Sequence, residues 1–351
     1  MHILLLQFFL LSVLALVLYL LQIKKRYKEM IFMVISFISM WYIHSRVNIN
    51  TVPDLYNYES MFVNTKMMTW KACFGYVGGM EAGYVVLNKI VSTFTGNYYV
   101  FQGLYGFTLL FLYFSSFRRY SPYVIVSILL LLVGTFNISI YVLRQYLAVA
   151  IFVASFPLII DRKMIPYLII CIFAFFIHKS AIICVPIYFM YQLRPKYLFL
   201  SMVLLTLGIF FLLDAFMIFS VETISDFEEY LGRNVTDSQS YIGAVIEGII
   251  LFIYVYTFRR IVWEEGIHKL IFILLILSVL VNIAIIGRPG TLSRLSSFYE
   301  TATLYALPLI LATKKDLLYK IACVACVFFL RVFPTFFGSI GLGDLTDMKL
   351  L

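Results

Sequence analysis

Long apolar runs, separated by short polar clusters, fill most of the 351-residue chain. Continuous runs of this kind predict membrane-spanning helices, because β-barrel strands alternate apolar and polar positions. Twelve spans are predicted, near Ile3–Ile23, Met30–Ile43, Tyr98–Phe117, Tyr120–Asn137, Tyr141–Ile160, Met164–Ile177, Ala181–Leu193, Tyr197–Phe219, Tyr241–Phe258, Leu270–Ile286, Leu295–Thr313 and Leu317–Phe333. Several fall short of the roughly 20 residues that cross a bilayer core. The hairpins around Asn137 and His178 are therefore expected to be partly re-entrant.

The polar clusters alternate in character. Every second connection is basic: Lys24, Lys25, Arg26 and Lys28; Arg118 and Arg119; Arg162 and Lys163; Arg194 and Lys196; Arg259, Arg260 and Lys269; Lys314, Lys315 and Lys320. These hold 16 of the 27 basic residues, beside five acids (Glu29, Asp161, Glu264, Glu265 and Asp316). Positive residues mark the cytoplasmic side, so the alternation predicts 12 spans with both ends outside. Orientation in a membrane, and not nucleic-acid binding, then explains the net charge of +9. The outer side carries the length: a first loop over residues 46–97, a second over 220–240, and a tail after Pro334. Within the first loop, Glu81–Phe94 has apolar residues at helical spacing, interrupted by Asn88 and Lys89, and predicts an interfacial or re-entrant helix.

Composition narrows this picture. With 63% hydrophobic and 13% charged residues and a mean hydropathy of +0.97, the chain has no room for a large soluble domain. Residues 1–351 read as one polytopic all-α membrane domain. The first apolar run has its basic cluster after it, as a retained helix does, and not before it as in a cleaved signal peptide. Four of the five cysteines lie in apolar runs, and Cys323-x-x-Cys326 lacks a second pair, so packing is expected of them. No metal site is expected, because none of the four histidines shares helical ligand spacing with another His or Cys.

Topology leaves a few charges unexplained, and these are the chemical candidates. Arg144 lies one turn inside the outer end of its span, where insertion costs on the order of 2.5 to 3.5 kcal/mol and calls for an anion. That anion is either a ligand or a carboxylate of the chain, Asp54, Glu81 or Glu300. The turn Gly287-Arg288-Pro289-Gly290-Thr291-Leu292-Ser293-Arg294 brings two more guanidiniums to the same side. Planar forked donors suit phosphate oxygens, so Arg144, Arg288 and Arg294 suggest a phosphate or diphosphate headgroup. Snorkelling towards lipid headgroups is the alternative, and Arg233 in the second outer loop is a weaker candidate. His178, at another outer turn, is a candidate general base or a hydrogen-bonded helix end. Asp54 and Glu81 are carboxylates that orient a sugar, act as base, or cap helices. Tyr56, Tyr58, Trp70, Tyr76 and Tyr84 stand among them, either to stack on sugar rings or because aromatic residues collect at bilayer interfaces.

Five stretches, in order, resemble the EpsG type of Wzy-like polysaccharide repeat-unit polymerases: Asp54-Leu-Tyr56-Asn-Tyr58; Glu81-Ala-Gly83-Tyr84 with Leu87-Asn88; Arg144-Gln145-Tyr-Leu-Ala148; His178-Lys179-Ser180-Ala181; and Arg294-Leu-Ser-Ser-Phe-Tyr299. The resemblance covers residues 50 to 300. It implies a glycosyltransferase of the bacterial cytoplasmic membrane that acts on its outer face on oligosaccharide units linked to undecaprenyl diphosphate, in O-antigen, capsule or exopolysaccharide synthesis. The growing glycan would pass to the non-reducing end of an incoming unit, without metal or other cofactor, and a chain-length regulator would be a possible protein partner. Arg144, Gln145, Arg288 and Arg294 would hold the diphosphate, and Tyr56, Tyr58, Tyr84 and Tyr299 the sugars. His178, Asp54 or Glu81 would be the base, with His178 favoured. A flippase of lipid-linked units would also want arginines, but deep in a cavity between related halves. An O-antigen ligase would share the outer arginines and differ in acceptor.

Overall fold

The computed structural model of the protein describes residues 3–49, 53–74, 80–221, 238–264, 266–286 and 293–332. Among these the regular structure is helical, with isolated bridges only at Val47 and Met80. In chain order come α1 (Ile3–Leu20), α2 (Lys25–Arg46), α3 (Pro53–Met67), α4 (Trp70–Cys73), α5 (Ala82–Phe94), α6 (Tyr98–Tyr120), α7 (Val124–Leu131), α8 (Asn137–Ser139), α9 (Leu143–Ala154), α10 (Phe156–Ile160), α11 (Met164–Ile177), α12 (Val185–Gln192) and α13 (Pro195–Val221). The helices Ser238–Phe258, Ile267–Ala284, Ser293–Glu300, Thr303–Leu311 and Leu317–Val327 follow. α1, α6 and Ile267–Ala284 are long and apolar enough to cross a membrane, and several shorter apolar helices accompany them.

The apolar runs become helices, but their ends move. The second run starts within the basic cluster at Lys25, because lysine and arginine are good helix formers that the apolar pattern ignores. The run expected over Tyr120–Asn137 begins at Val124 and passes through a π-helical turn, Leu132–Phe136, into α8. The run expected over Ala181–Leu193 splits into a 3₁₀ segment, Lys179–Cys184, and the eight-residue α12. Residues 46–97, expected as the first outer loop, hold more helix than the apolar pattern predicts. α3 escapes the apolar pattern because its sequence, PDLYNYESMFVNTKM, is half polar, and Thr69 starts α4 by accepting a hydrogen bond from Ala72 N–H. Much of the second outer loop and all of the tail lie outside the described residues.

Two compact units divide the chain. The first comprises Met1–Phe156, Leu168–Ile182 and Leu307–Leu351. Its centre is the close crossing of α2 and α6. Gly106 admits the His44 ring, since a Cβ there would lie 2.9 Å from it, and one turn earlier the Gly103 carbonyl accepts a 2.8 Å bond from Trp41 Nε1. Small residues at this spacing let helix backbones approach in a membrane. The second unit comprises Pro157–Tyr167 and Ile183–Ala306. Tyrosine hydroxyls tie it together internally: Tyr167 to the Cys184 carbonyl, Tyr188 to that of Arg162, and Tyr299 to that of Ile183.

Candidate functional site

Glu81 is the residue before α5 and holds extended backbone angles there, but its side chain caps nothing. The carboxylate turns instead to two groups far away in the chain. Arg144 Nη1, on the first turn of α9, donates to Glu81 Oε2 at 2.5 Å. His178 Nδ1, just beyond the end of α11, lies 3.1 Å from Oε1, which also accepts the Lys179 backbone N–H at 3.3 Å. The three side chains are 8%, 18% and 10% exposed for Glu81, Arg144 and His178. All three belong to the first unit.

Burial alone would push the Glu81 carboxyl up, but the hydrogen bond to His178 and the charge of Arg144 outweigh it and bring the pKa down to about 2. Glu81 is therefore an anion throughout the physiological range. A carboxylate only accepts hydrogen bonds, so His178 Nδ1 carries a proton, and in the tautomer that donates only from Nδ1 the lone pair lies on Nε2. A carboxylate that fixes a histidine tautomer leaves the other nitrogen ready to take a proton.

The depressed pKa makes a stability prediction. Between the unfolded value of 4.5 and the folded value of about 2, protonation of Glu81 favours unfolding, so its contribution is complete above pH 4.5 and lost as pH falls towards 2. Thermal unfolding of the detergent-solubilised protein at pH 3 and pH 6 should show a larger acid loss for wild type than for Glu81→Gln. An equal loss would mean that Glu81 is not held as an ion.

Two devices set the positions of these groups. Gly83 lies against the last turn of α11: a Cβ there would be 2.6 Å from the Phe176 carbonyl oxygen. This close approach of α5 to the backbone two residues before His178 brings Glu81 within reach of the imidazole. On the other side, Tyr105 Oη donates to the Leu143 carbonyl at 2.7 Å, and His44 Nε2 lies 3.4 Å from that of Ser139. The turn that leads into Arg144 is thus held by side chains from α6 and α2.

The remaining candidates separate by place. Tyr58 joins the cluster: it is buried, its ring centroid is 5.9 Å from the Arg144 guanidinium carbon, and its hydroxyl hydrogen-bonds to that guanidinium. Tyr84 packs edge-on against Tyr58 at 5.6 Å and is fully buried. Gln145, beside Arg144, is also buried. Tyr56 and Asp54 are exposed on α3, and the bonds that assemble the cluster do not include Asp54. Arg294 and Tyr299 belong to the second unit, where Tyr299 is fully buried with its hydroxyl given to Ile183. Glu300, a possible partner of Arg144 on sequence grounds, instead accepts from Ser296 at 2.8 Å and Asn282 at 3.4 Å in that second unit. Arg288, Arg233 and Tyr76 lie outside the described residues. Sequence reasoning missed the supporting roles of His44 and Tyr105; the Gly103-x-x-Gly106 spacing was the available sign of a close helix crossing there.

Helices apolar enough to suit a membrane, together with a buried arginine–carboxylate–histidine cluster, give the class: an all-helical protein compatible with a membrane. The EpsG family model matches residues 30–342, and the chain belongs to that family, one of Wzy-like polysaccharide polymerases. None of the curated proteins and none of the solved structures matches it.

Proposed function

We propose that the protein polymerises oligosaccharide repeat units linked to undecaprenyl diphosphate, on the outer face of the bacterial cytoplasmic membrane. The observation that carries this reading is the convergence of Arg144, Glu81 and His178 in a chain of a polymerase family. Glycosyl transfer from a lipid diphosphate requires a cation for the departing diphosphate and a group to accept the proton of the attacking hydroxyl.

In this reading an acceptor hydroxyl of the incoming unit attacks the anomeric carbon of the growing chain, through an oxocarbenium-like state as in glycoside hydrolysis. The new glycosidic C–O bond forms as the C–O bond to diphosphate breaks. The hydroxyl proton passes to Nε2 of His178, and the lipid diphosphate leaves as an anion against Arg144. Gln145, the buried neighbour of Arg144, is proposed to share that anion. Glu81 orients the other two and is not itself the base, since both its oxygens are engaged and its pKa is low. Tyr58, against the arginine, is the aromatic residue best placed to meet the first sugar.

The test supplies membranes containing the protein with a defined lipid-linked repeat unit. A ladder of lipid-linked products is expected, and it should be absent with His178→Ala. Units trapped on the cytoplasmic face of cells lacking the gene would favour a flippase, and transfer only to a non-repeat acceptor would favour a ligase.

A further inference from the structure

The first outer loop carries a second arrangement that the polymerase site does not use. It lies where α3 ends, α4 turns and α5 ends, all in the first unit. Lys89, on α5, is only 9% exposed, and its ammonium donates to the Lys66 carbonyl at 3.0 Å and stands 5.8 Å from the centroid of the Trp70 ring. A buried lysine is almost always paired with an anion, yet among the described residues no carboxylate forms an ion pair with Lys89, Lys66 or Lys71. Lys66 and Lys71, both exposed, flank it.

Around these cations, large apolar side chains stand in the open. Met67 is 88% exposed, Phe94 85%, Phe74 69% and Trp70 49%. They belong to one tip: Met67 follows Lys66, Phe74 is one turn beyond Trp70, and Phe94 is two residues before Gly96, whose Cβ position would be 3.5 Å from the Lys66 ammonium. Sugar-stacking sites present one or two ring faces, and four apolar side chains this exposed have no purpose in water. Apolar residues with tryptophan among them, rimmed by lysines, are the signature of a surface lying in the lipid–water interface.

We propose that this tip is inserted into the headgroup region of an anionic phospholipid leaflet, with Met67, Trp70, Phe74 and Phe94 reaching the acyl boundary and Lys89 holding a lipid phosphate. α5 then links two functions along its 13 residues: its far end is fixed to the lipid surface, and Glu81 immediately precedes its first turn. The anchor sets the height of the polar cluster relative to the headgroups. It stands apart from the reading of the reaction, because lipid contact is measured without turnover.

The test uses the full-length protein with Trp70 as its single tryptophan (Trp41→Phe, Trp263→Phe) in nanodiscs. Acyl-brominated phosphatidylcholine mixed with phosphatidylglycerol should lower Trp70 emission roughly twofold against unbrominated discs. By native mass spectrometry of the same protein, Lys89→Gln should retain phosphatidylglycerol about fivefold less well. If the single-tryptophan protein is not recovered, the difference in quenching between wild type and Trp70→Phe gives the same answer. No quenching at Trp70 overturns the insertion, and unchanged phosphatidylglycerol retention overturns the phosphate site. An acidic tetrasaccharide that shifts Trp70 emission through Lys89, with brominated lipid silent, would assign the tip to glycan instead.

Discussion

Arg144→Ala is expected to abolish polymer while the protein stays in the membrane, leaving lipid that carries a single repeat unit. Two losses act together. The departing diphosphate loses its proposed counter-charge, an effect worth about 100- to 1,000-fold when one preorganised donor is removed from a transition state. Glu81 also loses the partner on Oε2 and keeps only His178 and the Lys179 amide. Removing one member of a buried ion pair costs about 3 to 5 kcal/mol, so some fall in stability accompanies the loss of activity. Arg144→Lys separates the two: a lysine restores the charge but not the forked geometry, so stability should recover further than activity does. The product ladder and the membrane abundance of each variant check both parts. A normal ladder from Arg144→Ala would remove the residue from the reaction.

Gly83→Ala is expected to be the most damaging glycine-to-alanine substitution among the described residues. The added methyl meets backbone, the Phe176 carbonyl oxygen at 2.6 Å and its carbon at 2.7 Å, so neither side can turn a rotamer to make room. α5 must move away from α11. Overpacking of this kind costs about 1 to 3 kcal/mol, but its larger effect falls on the site, because the movement stretches the 3.1 Å contact between Glu81 and His178. A misplacement of roughly 1 Å in a reacting group costs about 100-fold in rate. Gly248→Ala is the matched control: Gly248 also lies within a helix, yet a Cβ there meets nothing within 4 Å. Alanine should be neutral or slightly stabilising at Gly248. Turnover measured beside thermal midpoints should show Gly83→Ala losing far more activity than stability; equal losses would make Gly83 a packing residue only.

These two cases show what the sequence carried and what it did not. Glu81, Arg144 and His178 were each visible as polar groups that neither the apolar pattern nor the inner basic clusters required. Their convergence was not visible. Pairs 63 and 97 residues apart meet only because particular helices are neighbours, and helical periodicity says which face is apolar without naming the partner. Gly83 could be read as a motif glycine, but its necessity depends on a carbonyl of α11. The helical class followed from the apolar runs, whereas α3 escaped because half its residues are polar. The π and 3₁₀ turns at Leu132–Phe136 and Lys179–Cys184 escaped because the apolar pattern does not distinguish them from α-helix.

The pairing of Glu81 with Arg144 also has an order in time. During synthesis the carboxylate emerges 63 residues ahead of the guanidinium, so a counter-ion is already present when the segment bearing Arg144 reaches the translocation machinery. The insertion penalty of a lone arginine, on the order of 2.5 to 3.5 kcal/mol, is then met by a group waiting for it. His178 arrives last. A nascent chain halted before α11 would carry both charged groups but lack the imidazole, so the two members of the ion pair are made before the proposed base.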